Sequence, residues 1–120
     1  MSLHQPQKPS ISLEENLKKA LTELLILHLL SQREYYIGEL TATLNKESGG
    51  VLNIVFPYSA VYRLQQEGYI LEGEKRIAPD GRKRQFFRIS DTGRDYYRQL
   101  MDIYARFTEG IHTVLDHTAF

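Results

Sequence analysis

Between Glu74 and Arg88 the basic residues Lys75, Arg76, Arg82, Lys83, Arg84 and Arg88 are opposed only by Glu74 and Asp80. A turn signal, Pro79-Asp80-Gly81, stands immediately before the Arg82-Lys83-Arg84 triplet. Cations at the tip of a loop can lie along phosphates and release the counterions condensed there. A charge run of this kind can equally be a solvated turn, and its neighbours decide between the two. Upstream, Tyr58, Ser59, Tyr62 and Arg63 fall at helical spacing. Tyrosine and serine hydroxyls bond phosphate oxygens or base edges, and arginine bonds either a phosphate or, bidentately, a guanine. The alternative for Tyr58 and Tyr62 is partial burial as packing residues.

Other reactive groups form no catalytic set. His112 and Asp116 lie four apart, a spacing that can hold a metal, but no third ligand accompanies them and a solvated pair is the simpler reading. His28 shares the apolar side of a helix and reads as a satisfied core histidine rather than a base. There is no Gly-rich phosphate loop, nucleophile elbow or HExxH pattern. With no cysteine, a thiolate metal site or disulfide framework is excluded. The expectation is a protein that is not an enzyme, with no cofactor and no metal.

Lys and Arg total 15 and Asp and Glu total 15, so the formal net charge is zero. The distribution is uneven. Acid gathers in Glu14, Glu15, Glu23, Glu34, Glu39 and toward the C-terminus, away from the basic turn. That asymmetry, not net charge, is the electrostatic signal. With 42% hydrophobic and 25% charged residues over 120 positions, one globular domain is expected. Met1 to Ser12 lacks the apolar stretch of a secretory signal, and the apolar run Leu24 to Leu30 is too short to span a bilayer. No membrane partner is expected.

The elements that must position these residues follow from periodicity. Ser12 and Glu15 have the spacing of a capping box. A first helix follows, with Leu13, Leu17, Leu21, Leu24 and His28 on one face. A second, short helix covers Tyr36 to Lys46 on Ile37, Leu40 and Leu44, and breaks at Glu47-Ser48-Gly49-Gly50. A third covers Tyr58 to Glu67, buries Val61 and Leu64, and stops at Gly68. Tyr69 to Glu72 and Arg84 to Ile89 read as two strands of a hairpin with a charged tip. Ser90 caps a last helix over Asp91 to Asp116, in which Tyr97, Leu100, Tyr104, Phe107, Ile111 and Val114 step by three and four as a heptad seam.

This order predicts a mainly α fold with a β-hairpin wing: a winged helix-turn-helix domain at 12–90, a flexible tail at 1–11, and a C-terminal dimerisation helix at 91–117. In such a unit the third helix offers its first residues to base edges, so Tyr58, Ser59, Tyr62 and Arg63 become DNA-binding candidates together with Arg82, Lys83 and Arg84. Thr41, Asn45, Lys46 and Asn53 are weaker phosphate candidates. The long helix is surplus to the small unit before it, and a second copy is the simplest cover. The expected dimer interface joins Leu17, Leu21 and Leu24 to Tyr97, Leu100, Tyr104, Phe107, Ile111 and Val114. Tyr96, Tyr104 and Phe107 could line a pocket for a planar aromatic effector, or serve as plain interface core.

Three stretches resemble the PadR family of bacterial transcriptional regulators: Glu34-Tyr35-Tyr36-Ile37-Gly38-Glu39-Leu40, the run from Tyr58 to Ile70, and the run from Arg82 to Gly93. The resemblance extends from about Leu17 to Leu115. It implies a double-stranded DNA operator, a homodimer, a cytoplasmic setting, and repression released by a phenolic or other small aromatic ligand. In ligand-binding members with a single C-terminal helix, an aromatic residue of that helix stacks on the ligand; the matching position here is Tyr104. Two features depart from the pattern. The chain has no tryptophan, and Val55-Phe56-Pro57 stands where the family usually has Gly-Thr-Leu. The competing reading is a winged helix that binds a protein and no DNA.

Overall fold

A computed structural model describes residues 9–55 and 57–117, with side chains from Leu13 onward. The element order is α1 (Pro9–Leu30), β1 (Tyr35–Tyr36), α2 (Ile37–Glu47), α3 (Tyr58–Gln66), β2 (Ile70–Ile77), β3 (Lys83–Ile89) and α4 (Asp91–Asp116).

α1 is built from strong helix formers, and its last two turns are apolar nearly all round. Ile26, Leu27, Leu29 and Leu30 are accordingly buried on more than one side. They meet Leu40 and Leu44 from α2, Val61 and Leu64 from α3, and Ile70, Phe87 and Ile89 from the sheet in one core. The helix begins at Pro9, so Ser12 and Glu15 lie inside it and the expected capping box is not its start. His28 also departs from expectation. It is exposed, though satisfied by Tyr97 Oη at 2.6 Å from its Nδ1.

Tyr36, expected to open the second helix, is instead a strand residue and the cap position of α2, with φ −95° and ψ 163°. With Tyr35 it forms β1, which pairs antiparallel with β3 through Tyr35↔Phe87 and Tyr36↔Phe86. The sheet therefore has three strands in the order β1-β3-β2 rather than the two of a bare hairpin. A two-residue strand is too short for an alternating pattern to show in sequence. α2 ends where Gly49 and Gly50 take φ of 65° and 83°. There the amide of Gly50 donates to the Asn45 carbonyl at 2.7 Å, closing the last turn.

β2 runs five residues beyond the expected Glu72, to Ile77, because an irregularity between Glu72 and Lys75 lets the pairing with β3 resume. Gly73 sits in that bulge. Its carbonyl, freed from the ladder, accepts from Gln85 Nε2 at 2.8 Å. The longer strands lift the Pro79-Asp80-Gly81 turn clear of the body. Gly81 takes φ 82°, and its amide donates to the Ala78 carbonyl at 2.8 Å.

The joint between sheet and α4 is tight. Ser90 caps α4 as expected, its hydroxyl accepting from the Gly93 amide at 3.0 Å. The same hydroxyl donates to the Gly68 carbonyl at 2.6 Å, and the Ser90 amide donates to the Tyr69 carbonyl at 3.0 Å. Gly93 is buried against that carbonyl. A Cβ there would collide with the Tyr69 carbonyl oxygen and stand 2.9 Å from Ile89 Cγ1. Backbone cannot yield as a side-chain tip can, so Gly93→Ala is expected to destabilise the fold by about 3 kcal/mol, read as a lowered urea midpoint. A midpoint within error of the parent would show that the joint is looser than its geometry.

α4 has 26 residues and is thus about 39 Å long. Its first turns pack on the body through Tyr96, Tyr97 and Leu100. From Met101 to His117 every residue except Thr108 is exposed, so the second half projects with its seam uncovered.

Candidate nucleic-acid interface

α3 is amphipathic in the simplest way: Val61 and Leu64 are buried while Tyr58 and Tyr62 remain 58% and 62% exposed. Ser59 is exposed beside them. The i, i+4 spacing aligns Tyr58, Tyr62 and Gln66 along one outer edge. Gln66 Nε2 donates to Tyr62 Oη at 2.8 Å, which orients the ring and leaves the phenolic hydrogen to be donated elsewhere. Tyr58 and Tyr62 are therefore not packing residues.

The loop that delivers α3 is fixed by Asn45. Its amide nitrogen donates to the Ile54 carbonyl at 2.7 Å, and its amide oxygen accepts from the Ile54 backbone at 2.7 Å. Asn53 takes the left-handed conformation, φ 48°, and its carbonyl accepts from Lys18 Nζ at 3.4 Å. Of the weaker phosphate candidates, Asn45 is thus committed to the loop. The Thr41 hydroxyl donates back along α2 to the Ile37 carbonyl at 3.2 Å. Lys46 is exposed.

Arg63 stands differently from its neighbours. Its Nε and one terminal nitrogen grip the two carboxylate oxygens of Glu23 on α1 at 2.5 and 2.8 Å. The same terminal nitrogen donates to Tyr96 Oη at 3.0 Å. The hydrogen bond to Glu23, with its carboxylate charge, raises the Arg63 pKa above the ordinary arginine value. The guanidinium bridges three helices while its side chain stays 49% exposed.

The structure separates the basic triplet as well. Arg82 and Lys83 are exposed, and neither has an ion-pair partner among the described residues. Arg84 is held by Asp80 at 2.6 Å, and the other Asp80 oxygen accepts from the Arg82 amide at 3.0 Å. The hydrogen bond from Arg84, then that from the Arg82 backbone, holds the Asp80 carboxyl below its usual range. Asp80 thereby shapes the turn and takes up one of its three charges. The Arg84 guanidinium lies 5.6 Å from the ring centroid of Tyr36, the cap residue of α2, and the hydrogen bond to Asp80 raises its pKa above the ordinary arginine value. At the wing's base Arg76 pairs with Glu34 at 3.2 Å and covers the Phe86 ring at 3.9 Å. Tyr58, Ser59 and Tyr62 on α3 and Arg82 and Lys83 on the wing are all exposed.

On α4 the aromatic residues divide into two groups. Tyr96 stacks on Tyr69 at 4.1 Å between centroids and 9° between planes, with its hydroxyl on Arg63. Tyr104 and Phe107 lie further along, 42% and 64% exposed. Eleven residues of helix put Phe107 about 16 Å beyond Tyr96, so Tyr96 does not join them in one pocket of a single chain. Leu24 is buried in the body, while Leu17, Ile111 and Val114 are 50%, 51% and 73% exposed. Phe107, Gly110, Ile111 and Val114 line a shallow apolar hollow of about 460 Å³. Among the described residues no group of three or more His, Cys, Asp or Glu could hold a metal ion, and no helix is long and apolar enough to cross a membrane.

Glu23 and Asn45 were not singled out for these roles by the sequence. Each acts across the fold, 40 and 9 residues from its partner, and neither spacing belongs to a local pattern.

A compact three-helix unit with a projecting antiparallel hairpin, its third helix outward and a long helix appended, defines a winged helix-turn-helix protein. The chain belongs to the transcriptional regulator PadR-like family, whose sequence profile matches residues 26–99. Its structure is similar to that of a PadR-like transcriptional regulator from Bacillus cereus, with TM-score 0.74 and 24% identity over 86% of this chain and 99% of that one. A transcriptional regulator from Clostridium thermocellum is similar at TM-score 0.71 and 23% identity, over 82% of this chain and 93% of that one. A Streptococcus transcriptional regulator reaches 29% identity at TM-score 0.63, over 80% of this chain and 96% of that one. No curated protein matches.

Proposed function

We propose that the chain is a sequence-specific, DNA-binding repressor that works as a homodimer in the cytoplasm and is released from its operator by a small aromatic or phenolic effector. One observation supports the DNA contact: Tyr58, Ser59 and Tyr62 are exposed on α3, and the wing cations Arg82 and Lys83 are exposed with no ion-pair partner among the described residues. In this reading α3 enters the major groove, where the hydroxyls meet base edges and phosphates, while the wing holds phosphates of the adjoining backbone. Arg84 joins the wing to the extent that phosphate displaces Asp80 from it. Arg63, one turn after Ser59 on α3, is held by Glu23 and Tyr96.

The uncovered seam of α4 supports the dimer. Met101, Ile103, Tyr104, Phe107, Ile111, Val114 and Leu115 are all large, apolar or aromatic, and at least 40% exposed. With Leu13 and Leu17 of α1, at 59% and 50%, they form a surface that a second copy would cover. Two copies related by a twofold axis would set two α3 helices about one turn of DNA apart, and so read a pseudo-palindrome. Tyr104 and Phe107 supply the flat faces an aromatic effector would need.

The zero net charge and the occupation of Arg63 by Glu23 favour one other reading, a winged helix that docks on a protein and not on DNA. A gel shift on the DNA upstream of the chain's own gene separates the two. The repressor reading predicts a shifted band that weakens steeply with salt and is lost on adding a phenolic ligand. Salt-insensitive or absent binding favours the protein-docking alternative; a band that survives every aromatic ligand removes the effector.

A further inference from the structure

We propose that Glu23, Arg63 and Tyr96 form a clamp that sets the angle of α3 against α1 and α4, so that Arg63 is a positioning residue for DNA binding and not a DNA contact. This inference rests on the DNA-binding reading above and adds to it how the reading helix is held.

The geometry is that of a built junction. A guanidinium has five donors in a rigid plane, and two opposed to two carboxylate oxygens fix both distance and orientation. Arg63 spends Nε and one terminal nitrogen on Glu23 in this way. That terminal nitrogen also reaches Tyr96 Oη at 3.0 Å. Each partner is itself fixed. Glu23 has a side chain only 19% exposed, and Tyr96 is stacked face to face on Tyr69. Tyr69 follows α3 directly, its amide donating to the Leu64 carbonyl at 2.9 Å and its carbonyl accepting from Ser90 at the head of α4. α3 is thus tied to α4 at its C-terminal end through Tyr69 and Ser90, and again one turn earlier through Arg63 and Tyr96. Two attachments on one helix remove the rotation that a single attachment allows. Glu23 adds a third, to α1.

The arrangement has a functional consequence. A contact shared by three elements couples them when its geometry has to change as one of them moves. α4 carries the apolar seam, so a shift of α4 at Tyr96 would reorient Arg63 and with it α3. Arg63→Gln, Glu23→Gln and Tyr96→Phe should each weaken binding to the upstream duplex by about fivefold, the lower end of ordinary coupling between sites. None should change the slope of log affinity against log salt, since none removes a phosphate contact. Glu23→Gln combined with Arg63→Gln should be no weaker than Arg63→Gln alone, because both break the same junction.

The test is salt-titrated fluorescence anisotropy on these variants, paired with amide hydrogen exchange of α3 in the protein without DNA. The clamp predicts faster exchange at α3 in all three variants, with sheet amides unchanged as the control for folding. A slope reduced by about 0.9 in Arg63→Gln, with full affinity in Glu23→Gln, would make Arg63 a phosphate contact and overturn the proposal. Unchanged α3 exchange in Glu23→Gln and Tyr96→Phe would overturn it as well. A parent protein that binds no DNA would defeat the DNA-binding reading instead, and the exchange result would still decide whether the clamp exists.

Discussion

Phe107→Glu combined with Ile111→Glu is expected to yield a folded monomer whose affinity for operator DNA is at least about 100-fold lower than that of the parent. The two side chains lie on the projecting half of α4, 64% and 51% exposed, and neither belongs to the core of the winged unit. Carboxylates there should cost the isolated chain little. Across a twofold axis they would face each other in an apolar seam, and burying like charges without partners is strongly unfavourable. A monomer engages one half-site, and loss of the linked second half-site removes the avidity gain of about 10²–10⁴. Light scattering after size exclusion reads the mass, and anisotropy on the same samples reads the affinity. A variant that stays dimeric would place the interface elsewhere than on this seam.

Neutralising the wing is expected to alter the salt dependence of binding more than any other change at the DNA surface. Arg82→Gln with Lys83→Gln should flatten the plot of log affinity against log salt by about 1.8, two phosphate contacts at about 0.9 each. Asp80 provides a change of opposite sign. It holds Arg84 at 2.6 Å, so Asp80→Asn should release that cation and steepen the slope by up to about 0.9. Charge reversal elsewhere on the surface would not reproduce this pair of opposed effects. Slopes that do not move in either variant would remove the wing tip from the DNA contact.

The parts of this architecture legible in sequence are those set by local rules. The heptad stepping from Tyr97 to Val114 and the cap at Ser90 predict α4 with its observed start and end. Val61 and Leu64 fix which side of α3 is buried, and so which residues stand outward. Pro79-Asp80-Gly81 marks the wing turn. What the sequence hides is decided by partners distant along the chain. β1 exists because Phe86 and Phe87 offer two residues an edge to pair with, not because Tyr35-Tyr36 carries an alternating pattern. β2 resumes its pairing with β3 past an irregularity where Gln85 satisfies the Gly73 carbonyl.

The candidate site divides along the same line. Exposure of Tyr58, Ser59 and Tyr62 follows from the amphipathic period of α3. The difference between Arg63 and these neighbours does not, because it arises from Glu23 on another helix. Likewise Arg82, Lys83 and Arg84 are equivalent in sequence, and only the fold of the turn gives Asp80 to one of them. On the proposed DNA contact, the free charge of the wing is therefore smaller than the sequence suggests, and lies with Arg82 and Lys83.

The most direct test of the central claim is a titration of the parent protein against the duplex upstream of its gene and a scrambled duplex of equal length and composition, with the mass of each complex measured in parallel. A sequence-specific dimeric repressor predicts two protomers per site and a preference for the upstream duplex of about 10³ or more. Equal affinity for both duplexes, or a complex containing a single protomer, would contradict it.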